Sequence, residues 1–264
     1  MLTLWHRLNK RTLFSIFVIA LLLPSIQAYP ILQQFTQQSN SFHSSPYTLW
    51  MGIDSFHFAS IAYYLVLPLI AALPAATLLK KDLSNGFFMQ VKLKNTLKQV
   101  LRDYYVLAFL LGGLIVTLPL LVNFTAIALK VPSTFPDNLL NQNILVINRN
   151  TLLVSLYYTH PFVHYLLNLI MVFLWGGLYA LFTTAISLNL NNRFFSLSVG
   201  LLIQMSLLLF QGLHVTPYSL SPADFLKQTA MSDISLGTTL ATTIVSIGCT
   251  MILLRLGREK LSDL

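Results

Sequence analysis

Apolar residues in this chain gather into six long stretches, at roughly 13–29, 58–79, 105–129, 163–187, 194–213 and 236–254, separated by shorter polar segments. Each stretch is close to the 17–25 residues that a helix needs to cross about 30 Å of hydrocarbon. Strands of a membrane barrel would instead alternate over about ten residues, so the runs predict helices. The expected fold is all-α: a polytopic membrane protein of six transmembrane helices, forming one domain over residues 1–264. With 55% hydrophobic and 9% charged residues and a mean hydropathy of +0.70, a water-soluble globule is excluded.

Charge sets the expected orientation. None of the 16 Lys and Arg residues falls inside a stretch. Arg7, Lys10 and Arg11 precede the first, and Lys80, Lys81, Lys92, Lys94, Lys98 and Arg102 lie between the second and third. Arg193 separates the fourth from the fifth, and Arg255, Arg258 and Lys260 follow the sixth. The other connections hold only Lys130, Arg149 and Lys227. The positive-inside rule then places both termini in the cytoplasm. This bias accounts for most of the formal charge of +8, with no need of a nucleic-acid partner.

The first stretch has the outline of a signal peptide, with basic residues, Leu13 to Leu23, then Ile26-Gln27-Ala28. Its apolar run continues past Pro24, so it is expected to remain as a span. Leu2, Leu4, Trp5 and Leu8 fit either a short amphipathic turn at the interface or a simple Trp anchor. Residues 30–57, rich in Gln, Ser and Asn, are expected to form a flexible surface loop. Within the long connection 130–162, residues 138–155 mix Leu, Ile, Val and Asn without a clean period, and it could cap the outer mouth. Ser221-Pro222-Ala223-Asp224 reads as a helix start, predicting a short outer or re-entrant helix from Pro222 to about Met231.

The segment 80–103 is longer than a tight connection requires. Ser84-Asn85-Gly86 supplies turn chemistry. After it, Phe88, Val91, Leu93, Leu97, Val100 and Leu101 leave Lys94, Lys98 and Arg102 mostly to another face. One or two amphipathic helices follow from this pattern, lying against a partner or against anionic lipid.

Leu67-Pro68-Leu69-Ile70-Ala71-Ala72-Leu73-Pro74, then Asp82, Gly86 and Phe109-Leu110-Leu111-Gly112-Gly113-Leu114, resemble bacterial type-2 ABC transporter permeases. Leu118-Pro119-Leu120-Leu121-Val122-Asn123-Phe124, His160-Pro161 and Phe173-Leu174-Trp175-Gly176-Gly177-Leu178 extend the resemblance, which covers about 55–205. It implies a coupling helix within 81–101 that docks on a cytoplasmic ATPase subunit, carried by Lys81, Asp82, Asn85, Gly86, Phe87, Phe88, Lys94 and Lys98. It also implies a second permease copy or a related permease, two ATPase subunits, a bacterial plasma-membrane location and an outer helix between spans five and six. ATP and Mg would enter through the partner, since the chain has no G-x-x-x-x-G-K-[ST] loop and is expected to bind no cofactor itself.

The chain offers little to an enzyme. It has no H-E-x-x-H, no G-x-S-x-G and no acid within a stretch. His160 and His164 share a helical face, but Pro161 and the lack of a nearby carboxylate argue against a metal pair. Cys249 is alone, so neither an intrachain disulfide nor a cysteine metal site is available. A secondary transporter would keep ionisable residues at membrane depth, and this chain keeps none there. Asn123, Asn168, Gln204 and Gln211 are expected to hydrogen-bond between helices, while Gly112, Gly113, Gly176 and Gly177 are expected to pack helices closely. The expected function is ATP-driven export of a hydrophobic or amphipathic compound such as a peptide, drug or lipid. The alternative is a non-transport immunity or scaffold factor that binds a peptide through its outer loops.

Overall fold

The computed structural model describes residues 2–37, 44–76, 78–93, 96–190 and 192–262; Lys94 and the polar positions 38–43 lie outside them. The protein is 75% helix, with no strand among the described residues. Among the described residues, five helices are long and apolar enough to cross a membrane: α2 (Lys10–Gln37), α7 (Leu97–Ala128), α10 (Pro161–Asn189), α11 (Arg193–Gly212) and α13 (Leu236–Ser262). The apolar α4 (Phe58–Ala72), at 15 residues, is shorter. Small helices complete the order: α1 (Leu2–Arg7), α3 (Pro46–Leu49), α5 (Leu78–Ser84), α6 (Phe87–Lys92), α8 (Asn138–Asn141), α9 (Val154–Thr159) and α12 (Pro222–Phe225).

The predicted stretches locate the helices but not all their ends. The stretch 58–79 is not one helix: α4 stops at Ala72, a turn covers 73–76 around Pro74, and α5 begins at Leu78. Leu73 keeps helical dihedrals, but Pro74 has no N–H to offer Ile70 O, which interrupts the helical ladder there. The third helix begins eight residues before the apolar run, because Thr96 and Gln99 form a reciprocal capping box. Leu97 to Arg102 are therefore its first turns rather than part of a separate amphipathic helix. The outer helix is four residues, not ten. Ser221 caps it as expected, accepting from Ala223 N at 3.3 Å. The chain then turns inward, and every residue from Ser221 to Ala230 is buried.

The centre of the bundle is the crossing of α7 and α10. Its two Phe-x-x-Gly-Gly segments pack reciprocally. A Cβ at Gly177 would lie 2.5 Å from the Phe109 ring, and one at Gly113 would lie 2.7 Å from the Phe173 ring. The two rings meet edge to face at 5.9 Å. A Cβ at Gly112 would strike Ala180 Cβ, and one at Gly176 would lie 2.8 Å from Gly112 O. Small residues here bring two backbones into direct contact, the usual route to tight packing in lipid.

One apolar core runs through α2, α4, α7 and α10 and under the loops at one end. A second lies at the other end, among α1, α5, α6 and the start of α7. The second carries most of the cations and is called the basic end below; the first reaches the far end.

Candidate functional site

At the basic end, two short helices are folded over a buried acid. Asp82 is 0% exposed. Its carboxylate accepts from Arg7 Nη2 at 2.7 Å and from the Tyr104 hydroxyl at 2.6 Å, the paired and hydrogen-bonded state a buried charge requires. The Arg7 guanidinium also sits 3.5 Å from the Phe87 ring centroid, a cation–π contact. Phe88 is buried near Tyr104, with ring centroids 6.4 Å apart. Leu4, Leu8, Leu79, Val100, Leu101 and Leu261 close this core, and Lys92 Nζ reaches Leu261 O at 3.4 Å.

Between α5 and α6, Gly86 has φ of 71° and a Cβ there would meet nothing within 4 Å. The glycine is needed for its left-handed backbone, not for space. The resulting knob directs Asp82 and Phe88 inward and leaves Phe87 half-buried. It leaves Lys81, Asn85, Gly86, Met89, Gln90, Leu93 and Lys98 exposed, with Leu93 89% exposed. Arg7, read only as a topology residue in the sequence, and Tyr104, which no sequence reading singled out, complete the Asp82 cluster. The available signal was an acid at the end of an apolar run in a basic segment, which needs a cation once its surroundings are apolar.

The far end is a dense polar cap around the inward segment 226–234. Trp50 Nε1 donates to Gln228 Oε1 at 2.8 Å, and Gln228 Nε2 lies 2.7 Å from His164 Nδ1. His164 Nε2 lies 2.7 Å from Leu152 O. Tryptophan can only donate and a carbonyl can only accept, so the chain of bonds requires neutral His164 protonated at Nε2. Neither ring nitrogen is left for a metal. Asn150 brackets the segment from outside, with Ala230 N donating to its carbonyl at 2.7 Å and its own amide donating to Ala230 O at 2.9 Å. Trp50, Met51 and Ile53 are buried, so residues 44–57 are not the surface loop that their polarity suggested.

Asn123, Asn168 and Gln204 are engaged between elements as expected, whereas Gln211 accepts from Thr216 Oγ1 at 3.4 Å, in the loop that follows its own helix. Asn123 Oδ1 accepts from Met51 N at 3.0 Å, and its Nδ2 donates to Gln27 Oε1 at 2.8 Å. Gln204 Nε2 donates to Tyr64 O at 2.8 Å. That carbonyl lacks its own helical partner because residue 68 is proline. Asn168 Nδ2 donates to Leu226 O at 2.8 Å, while its Oδ1 is buried without a hydrogen-bond partner. It lines a cavity of about 30 Å³ together with His164 and Lys227. Lys227 is 4% exposed. Burial lowers its pKa from the usual value, and Asp224 and Asp54 oppose that shift.

A larger cleft of about 430 Å³ opens between α10, α11 and α13, where Cys249 is exposed. No family model, no curated protein and no solved structure matches the chain.

Proposed function

We propose that this chain is the membrane-spanning permease subunit of an ATP-driven ABC exporter, working in a bacterial plasma membrane with a second permease and cytoplasmic ATPase subunits. The observation that carries the reading is the knob α5–α6. It is a short, locally rigid projection at the basic end, pinned from beneath by Asp82 and Phe88, with exposed Leu93 and Met89 among polar groups. A projection anchored to the first turns of α7 can pass a push from a soluble partner into the α7–α10 crossing. The chain itself lacks a phosphate loop, so ATP and Mg would be bound by that partner.

In this reading α4, the turn at 73–76 and α5 together make the second of six crossings, and the basic end faces the cytoplasm. The cargo is a hydrophobic or amphipathic compound, because the six apolar stretches carry no Asp, Glu, Lys or Arg to select a small ion.

Affinity purification of the tagged chain in mild detergent should recover a phosphate-loop ATPase in stoichiometric amount. Leu93→Asp combined with Met89→Asp should weaken its recovery at least tenfold while membrane insertion is unchanged. Recovery of the chain alone, across detergents and after cross-linking, would overturn the proposal.

A further inference from the structure

We propose that the small cavity between α10 and the inward segment of the far-end cap is a binding site for water, which joins Asn168 to that segment. The cavity measures about 30 Å³, and its wall includes Asn168 of α10, Phe225 of α12, and Lys227 and Gln228 of the segment that follows. Asn168 is 6% exposed and Lys227 4%. Two strongly polar side chains are thus buried against one small space.

The demand comes from Asn168 Oδ1, a buried acceptor to which no protein group donates. Turning the amide round does not relieve it. Asn168 Nδ2 donates to Leu226 O at 2.8 Å, and a flip would set oxygen against oxygen there. Nor can His164 help: its Nε2 proton goes to Leu152 O, and its Nδ1 accepts from Gln228 Nε2. A buried acceptor left unpaired forfeits the hydrogen bond that it makes to water in the unfolded chain.

Chemistry and size select the occupant. It must donate a proton to Oδ1, which a halide cannot do. A metal or ammonium ion would share the cavity wall with the like charge of Lys227. A water molecule needs roughly 10–15 Å³ of such space and two to four polar partners, so the cavity takes one water, or two at most, and nothing larger. Water donates to Oδ1 and keeps its own oxygen for the ammonium of Lys227 or the second amide proton of Gln228. One small molecule therefore answers an acceptor on α10 and a donor on the inward segment together.

X-ray radiolytic footprinting of the whole protein in detergent, read by mass spectrometry, is the test. Hydroxyl radicals react close to the water that produces them, so a ring hidden from solvent is oxidised only when water sits beside it. Phe225 on the cavity wall and Phe88 in the basic-end core are each 1% exposed. Phe225 should be oxidised several-fold faster than Phe88. Met51, 0% exposed in the far-end core and off the cavity wall, should stay protected. Asn168→Leu removes the acceptor with a side chain of similar size, and Phe225 should then fall to the rate of Phe88. Equal rates for the two rings in the original protein would overturn the proposal, since a Lys227 head group resting directly on Oδ1 gives that result. Oxidation of Met51 together with Phe225 would also overturn it, because the cap would then be opening. So would an excess at Phe225 that survives Asn168→Leu. The comparison of rings in the original protein decides even if the variant does not fold. It is independent of ATPase recovery, so either proposal can fail alone.

Discussion

At the scale of single residues, two buried charges behave differently. Asp82 is fully paired, so deleting it leaves Arg7 without its carboxylate and Tyr104 without an acceptor. Removing one partner of a buried pair costs about 3–5 kcal/mol; Arg7 is partly exposed, which puts the expected loss toward or below the low end. Asp82→Ala should release α1, and trypsin cleavage of the detergent-solubilised protein at Arg7 and Lys10 should then accelerate at least tenfold. Unchanged cleavage would mean that the apolar contacts of Leu4 and Leu8 hold α1 by themselves. Lys227 shows the opposite balance. Its folded-state pKa is depressed by burial, so between the folded and unfolded pKa values the unfolded chain binds more protons. Stability of the far-end cap should therefore rise with pH across that window, and the penalty is fully present below it. Lys227→Met should abolish this slope and leave the protein at least as stable at neutral pH. Thermal melts followed by tryptophan fluorescence at several pH values would show it; a steeper slope in the variant would refute the account.

At the scale of elements, the α7–α10 crossing makes a sharp distinction between neighbouring glycines. The atoms that crowd a Cβ at Gly177 all belong to the Phe109 side chain. At Gly112 the obstacles include the backbone carbonyls of Gly176 and Ala71, 2.9 and 3.0 Å away. Gly177→Ala should cost about 1–3 kcal/mol through overpacking, and Phe109→Leu should recover much of that loss. Gly112→Ala should not be recovered by any change at Phe109. A double-mutant cycle on thermal stability in detergent separates the two, since additivity at Gly177 would contradict the ring contact. The close approach of these helices was readable from paired glycines in apolar runs. Helix ends were harder, because an apolar run marks where hydrocarbon is, whereas a capping group such as Thr96 or Asn192 decides where backbone bonding starts. The far-end cap was hidden for another reason. Trp50, Gln228 and His164 are joined across 178 and 64 residues of sequence, and their polar surroundings gave residues 44–57 the composition of a loop. At the basic end, the turn at Gly86 could be read locally, but the role of Asp82 depends on Arg7, 75 positions away.

At the scale of the whole molecule, contacts between the helix ends fix how often the chain passes from one end to the other. Arg7 and Asp82 meet at the basic end, and Gln27 meets Leu49 O at the far end. Ser60 bonds Met51 O at the far end, while Ala75 and Leu79 lie in the basic-end core. The short α4, extended by the turn and α5, therefore travels the full height even though its 15 residues measure only about 23 Å along the axis. Helix α7 returns to the far end, α10 comes back to Lys80 at Leu190 O, and α11 and α13 repeat the pair, ending with Leu261 beside Lys92. Residues 7 and 261 thus share one end. A membrane slab aligned with the bundle puts both on one side, which is the cytoplasmic side in the orientation proposed above from the cation distribution. Fluorescent-protein fusions before residue 2 and after residue 262 should both glow, because folding of that reporter is confined to the cytoplasm. An epitope placed between Pro132 and Phe135, beyond the end of α7, should instead be accessible to antibody on intact spheroplasts. Two silent fusions with an inaccessible epitope would invert the orientation and leave the bundle intact. One glowing and one silent fusion would remove a crossing, and α4 is where it would be removed.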